Sequence, residues 1–249
     1  MLIQQTIENL KTLKLLGMVQ ALESQMQVPD HKDLSFEDRL GMIVDTEVIF
    51  RDNKKMNSRL KSAMLPQSAA IENVDVKGAR GIDKSTLAAL ATSDWVRLHQ
   101  NIIIGGATGA GKSYLACAIA HKACRDGFTI RFARVNRLLE ELVVGKADGT
   151  YNSLLSSLKD KNVLVLDDFG LAPLTAENRR DLVEILEDRY DKSSTIITTQ
   201  LPVEHWHQII GDPTIADAIL DRVVHNAHKI LLKGESRRKT KAKDLQLVS

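Results

Sequence analysis

Cysteine is almost missing from this chain: among 249 residues only Cys117 and Cys124 carry thiols. They stand about two turns apart on one expected helix, too far for a disulfide. Two cysteines alone also make a poor metal site, so both read as reduced core residues. Long hydrophobic runs are missing too, which excludes a bilayer-spanning helix. The N-terminus, Met1-Leu2-Ile3-Gln4-Gln5, lacks the charged start and apolar centre of a signal peptide, so the expected location is the cytoplasm and no membrane partner is expected. A dominant charge is missing as well, since 34 basic and 32 acidic residues leave a net charge of +2. The total therefore says little about partners, although its distribution says more.

What is present begins with Gly106-Ala107-Thr108-Gly109-Ala110-Gly111-Lys112-Ser113, which fits every fixed position of the phosphate-binding pattern G-x-x-x-x-G-K-[ST]. The glycines let backbone N–H groups turn inward as a nest for phosphate oxygens. Lys112 brings a mobile positive charge, and Ser113 a hydroxyl for Mg²⁺. The helix that opens with Ser113 and Tyr114 points its positive end at the anion. The apolar run Asn101-Ile102-Ile103-Ile104 before the loop reads as a buried strand, and Tyr114 to Ala123 after it as a helix. Strand, loop and helix in that order are what nucleoside triphosphate binding needs.

Residues 1–65 read as a separate helical module. Ile7, Leu10, Leu13 and Leu16 recur at near-helical spacing, and Ser35, with Asp38 three residues on, starts a second helix that Pro66 ends. Residues 66–94 read as a linker without strong periodicity. From 95 to 249, short apolar strands alternate with helices: Thr129–Phe132, Val163–Leu166 and Thr195–Thr198, with helices over Val135–Val144 and Thr175–Tyr190. Such continuous apolar strands between helices predict an α/β fold, a parallel sheet covered on both faces.

Two further segments carry candidate chemistry. The strand Val163–Leu166 ends in Asp167-Asp168, placing carboxylates at the sheet edge where ligands of such folds bind. Asp167 is the candidate Mg²⁺ holder beside Ser113. Asp168 is the candidate general base that orients water for attack on the terminal phosphate. The strand Thr195–Ile197 ends in Thr198-Thr199-Gln200. Here Gln200, with Thr199 second, either hydrogen-bonds the attacking water or the terminal phosphate or simply satisfies the loop.

Arg222 follows Asp221 in a helix started by Asp212-Pro213. It is either an ion-paired surface residue, with Asp221 as a competing partner, or a guanidinium for a neighbouring subunit's phosphate. His205, His207, His225 and His228 match no metal spacing, and Trp206 is expected in the core. Arg51, Lys54, Lys55, Arg59 and Lys61 form one basic run. The chain also ends basic, from Lys229 and Lys233 through Arg237, Arg238, Lys239, Lys241 and Lys243. Both runs are either solvated charge or surfaces for a nucleic-acid backbone.

With these segments in view, the chain resembles the IstB family of ATP-binding transposition helpers, relatives of the DnaC helicase loaders among the AAA+ ATPases. Asn101 to Ala120, Thr195 to Pro202, Leu220 to His228 and Leu232 to Lys239 carry the likeness. The resemblance implies an AAA+ sheet with an added helical module, ATP and Mg²⁺ as ligands, and homo-oligomers on double-stranded DNA. It implies recruitment or activation of a transposase, the alternative client being a replicative helicase. By the same resemblance Gly106 to Ser113 hold the phosphates, Asp167 the metal and Asp168 the water, and Thr199-Gln200 take the sensor position. Arg222 is the candidate arginine finger, and Arg238 resembles a second sensor. Many AAA+ proteins have Glu at the Asp168 position and Asn at the Gln200 position. The shorter carboxylate must reach further, which implies slow hydrolysis. A small-molecule kinase with the same loop would need an arginine-rich lid, and the sequence shows none.

Overall fold

A computed structural model describes residues 2–27, 34–76 and 81–234. The chain divides into two compact units, Met1–Ser58 and Arg59–Ser249. The division falls inside a helix rather than at residue 65, where the sequence suggested it. Arg237 to Lys243, including the second-sensor candidate Arg238, lie outside the described residues.

The first unit holds α1 (Leu2–Thr12), α2 (Leu16–Gln27) and most of α3 (Phe36–Ala63). The apolar spacing through Leu16 suggested one helix where there are two. Lys14 adopts a left-handed conformation (φ 59°). The N–H of Lys14 donates to Lys11 O at 2.9 Å and that of Leu15 to Leu10 O at 2.9 Å. This pair of bonds ends α1 as a Schellman motif, with a lysine where glycine is usual. The Glu47 carboxylate then accepts from the N–H groups of Gly17 (2.7 Å) and Met18 (3.1 Å), which otherwise lack partners at the start of α2. Its bond to Arg51 and these backbone bonds hold its pKa below the usual carboxylate value. A Cβ on Gly17 would lie 2.6 Å from the Cα of Glu47, so only glycine allows this close approach. Ser35 accepts from the N–H of Asp38 (3.1 Å) at the start of α3, as its spacing predicted.

The second unit is a five-stranded, wholly parallel sheet in the order β2-β3-β4-β1-β5. Its strands are β1 (Asn101–Gly106), β2 (Ile130–Arg134), β3 (Val163–Phe169), β4 (Ser194–Thr199) and β5 (Ala227–Leu232). Successive side chains alternate between two cores. Ile102, Ile104, Val163, Val165 and Ile196 face a core built on α6 (Lys112–Arg125). Ile103, Leu164, Leu166 and Ile197 face a second core formed by α7 (Val135–Asp148), α8 (Tyr151–Lys159), α9 (Ala176–Arg189), α10 (Trp206–Ile210) and α11 (Pro213–Val224). Burial on both faces explains why these strands read as unbroken apolar runs. Ala116, Cys117, Ala120, Ala123 and Cys124 are fully buried, and their small side chains let α6 lie close on the sheet. Burial pushes both thiols up to about 11, so neither forms a thiolate near neutral pH.

Residues 66–94 are not a passive linker. Ala69, Ile71, Ile82 and Leu90 enter the α6-side core, and Asp83 caps α4 (Lys84–Ala91) by accepting from Thr86 N at 2.6 Å. The short α5 (Asp94–Arg97) then leads into β1. Trp206 is fully buried, as expected, and its ring meets that of Phe169 at a tilt of 47°, with the centroids 4.4 Å apart.

Arg189 is the most demanding buried group. It is 2% exposed, and its guanidinium donates to Leu158 O (2.6 Å), Lys161 O (2.9 Å), Ser194 O (2.6 Å) and Thr195 Oγ1 (3.4 Å). Burial lowers its pKa to about 10, leaving the charge in place at neutral pH. Replacing Arg189 with leucine strips these acceptors of their donor, and a loss of about 3 kcal/mol is expected in denaturant unfolding. Unchanged stability would show that water replaces the guanidinium without cost.

Candidate functional site

The phosphate loop crosses the carboxyl end of β1, where ligands of open parallel sheets bind. Gly106 has φ 145° and Gly111 φ 101°. A Cβ on Gly106 would sit 2.5 Å from Leu232 O on the neighbouring strand, so backbone conformation and space both require glycine there. Lys112 is 5% exposed, and its Nζ donates to Ala107 O at 3.0 Å, which folds the side chain back over its own loop. Burial lowers its pKa, opposed by the nearby carboxylates of Asp168 and Asp167.

A cavity of about 620 Å³ opens beside the loop, lined by Thr108, Lys112, Ser113, Tyr114, Asp167, Asp168 and Gln200 among others. Asp167, 2% exposed, accepts from Ser113 Oγ (2.8 Å) and Thr198 Oγ1 (2.6 Å) at one carboxylate oxygen. A serine hydroxyl and a carboxylate side by side are hard oxygen donors of the kind Mg²⁺ takes. The donor set thus fits the metal.

Asp168 stands at an irregularity in the β3–β4 pairing between Leu166 and Phe169. Its backbone is left-handed (φ 62°), a conformation that Asp tolerates better than most residues. The bulge turns it toward the cavity instead of the α7–α9 core that strict alternation would give it. Its N–H donates to Thr198 Oγ1 at 2.9 Å. One buried hydroxyl therefore holds both acids in place.

The family profile described as "IstB-like ATP binding protein" matches residues 8–244, nearly the whole chain. The chain belongs to that family. An insertion sequence ATP-binding protein of Sinorhizobium fredii is 46% identical over 239 residues, covering 96% of this chain and 98% of that protein. The insertion sequence IS21 ATP-binding protein of Pseudomonas aeruginosa is 33% identical, covering 92% and 86%. Among solved structures, the DnaC helicase loader superposes with a TM-score of 0.55 at 20% identity, over 66% of this chain and 97% of that one. DnaI does so with a TM-score of 0.57 at 22% identity, over 71% and 94%. At such identities the likeness establishes the fold alone, a parallel P-loop sheet covered by helices, and the family is one of ATP-binding proteins.

Within this IstB-like chain, Gln200 reaches the loop: its Oε1 accepts from Thr108 Oγ1 at 2.7 Å, leaving its amide N–H groups as donors for the cavity. Thr199 does not. Alternation turns it to the other face, where its hydroxyl donates to Phe169 O (3.0 Å) and accepts from Leu201 N (3.1 Å). Thr198 takes the position toward the acids, and only the strand register reveals it. Arg134 at the end of β2 also lines the cavity and went unnoticed in the sequence. A basic residue closing a buried strand was the available signal.

Arg222 lies elsewhere. Asn101, at the start of β1, donates from Nδ2 to Arg222 O (3.1 Å) and Val223 O (3.2 Å), and its Oδ1 accepts from Thr195 N (2.8 Å). The end of α11 is thus pinned at the edge of the sheet opposite the loop. The Arg222 guanidinium pairs with Glu187 on α9, not with Asp221, and donates to Ala218 O at 2.8 Å. Asp221 instead lies 3.4 Å from His225.

His207 meets Asp217 at 2.9 Å and His228 meets Gln100 at 2.8 Å. Among the described residues no group of three or more His, Cys, Asp or Glu side chains could hold a metal ion. Of the basic run, Arg59 is committed to Cys124 O (3.0 Å) and Arg51 to Glu47 (2.6 Å). Lys54, Lys55 and Lys61 remain exposed on α3, as do Lys229 and Lys233 on β5 and just after it. No helix among the described residues is long and apolar enough to cross a membrane.

Proposed function

We propose that this protein is an ATP-dependent regulator of DNA transposition. It binds ATP with Mg²⁺, oligomerises on double-stranded DNA and recruits or activates the transposase of its own element. The observation that carries this reading is the loop with its paired acids, set in a chain similar over nearly its full length to insertion sequence ATP-binding proteins. The backbone N–H groups of Gly109 to Ser113 and the start of α6 bind phosphate oxygens, and Lys112 leaves Ala107 to meet the outer phosphates. Ser113 and Asp167 would hold Mg²⁺, directly or through water, and the ion would neutralise phosphate charge. Asp168 accepts a proton from the attacking water, and Gln200 hydrogen-bonds that water or the terminal phosphate. Arg222 of a neighbouring subunit completes the site. The exposed lysines Lys54, Lys55, Lys61, Lys229 and Lys233 are the candidates for DNA phosphates.

Helicase loading is the second reading, supported by the fold shared with the DnaC helicase loader. The closer relatives are insertion sequence proteins, which favours a transposase as client. Sedimentation with duplex DNA tests the proposal. Large complexes are expected only with ATP and intact Lys112, and Lys112→Ala should remain small in both conditions. A wild-type protein that stays monomeric with ATP and DNA would sink the proposal.

A further inference from the structure

We propose that Arg134 lets this site distinguish a nucleoside triphosphate from a diphosphate by gripping the terminal phosphate from within the same subunit. The inference rests on the cavity being a nucleotide site.

Arg134 is the last residue of β2 and the Cα partner of Asp167 on β3. Ile130 and Phe132 on the same strand face the α6-side core. The two-residue period of a strand sends Arg134 to that face too, which Asp167 and Thr198 share. The side chain is exposed, and it lines the 620 Å³ cavity with Lys112, Asp167 and Asp168. Among the described residues no hydrogen bond or ion pair fixes its guanidinium, so it can turn toward an arriving anion without first breaking a contact.

Position selects the phosphate. In the sheet order, β3 and β4 separate β2 from β1, which places the β2 backbone about 14 Å to the side of the loop's strand. The loop and the start of α6 serve the inner phosphates on the β1 side. Arg134 approaches from beyond Asp167, where only the end of a triphosphate extends. Among the described residues that line the cavity, Lys112 and Arg134 are the two cations. A planar guanidinium suits the task, because it offers parallel donors to two phosphate oxygens at once.

Calorimetric titration with Mg²⁺ and either a non-hydrolysable ATP analogue or ADP tests this. In Arg134→Ala, affinity for the analogue should fall about tenfold or more, while affinity for ADP stays at the wild-type value. Arg134→Lys should recover part of the difference, since charge returns without the fork. Lys112→Ala should weaken both nucleotides and reports on the site itself. If Arg134→Ala leaves the ratio of the two affinities unchanged, Arg134 does not read the third phosphate, although the nucleotide site stands. If the wild-type protein binds neither nucleotide, the site reading fails and this inference fails with it.

Discussion

Alanine at position 222 should lower ATP turnover of the DNA-bound assembly by about 10³-fold, with nucleotide affinity of the single subunit unchanged. The reason is location. The carbonyls of Arg222 and Val223 are held by Asn101 at the start of β1, whereas the loop begins at Gly106 at its end. A strand of that length spans about 17 Å, so the guanidinium cannot return to its own loop. Its pairing with Glu187 must be given up when a neighbour's phosphate arrives. Mixing supplies the decisive comparison. Arg222→Ala subunits keep an intact Asp168, and Asp168→Asn subunits still bind ATP, assemble and keep an intact arginine, so a mixture should regain turnover that neither has alone. Wild-type turnover in Arg222→Ala, or no recovery on mixing, would remove Arg222 from the reaction.

Asp168→Asn should slow hydrolysis by about 10² to 10⁴-fold, the usual contribution of a positioned general base, and trap the ATP-bound assembly on DNA. Asparagine tolerates the left-handed backbone at 168 (φ 62°) about as well as aspartate does. It also keeps the N–H that donates to Thr198. The change therefore removes a proton acceptor while keeping the backbone of the bulge. Single-turnover hydrolysis measured beside DNA-complex lifetime separates the outcomes: slow chemistry with long-lived complexes supports the base role. Full turnover would assign the water to another group, with Gln200 the nearest candidate.

Both experiments concern residues that the sequence singled out, Asp168 by its place at the end of an apolar strand and Arg222 through the family resemblance. The loop pattern fixes residue type and backbone together. The runs Ile102–Ile104 and Val163–Leu166 are apolar because both sides of each strand are buried, a state that leaves an unmistakable trace. What stayed hidden depends on register and tertiary contact. Thr198 and Thr199 are chemically alike, and only the pairing of β4 with β3 decides which of them meets Asp167. Glu187 is one acid among many until α9 packs on α11. The edge strand β5, Ala-His-Lys-Ile-Leu-Leu, alternates buried and exposed positions and so lacks the continuous apolar signature. The break at Lys14 carries no glycine to announce it. Residues 66–94 looked like a connector because their buried side chains come singly, without a period.

Asn101 has a mechanical consequence. A single side chain clamps β1 to β4 and to the tail of α11, while the far end of the same strand carries the loop. β1 is thus a strut between the loop at one end and the backbone of Arg222 at the other. On the proposed assembly, in which Arg222 serves a neighbour's phosphate, a shift of the loop would be carried along this one strand toward the next site.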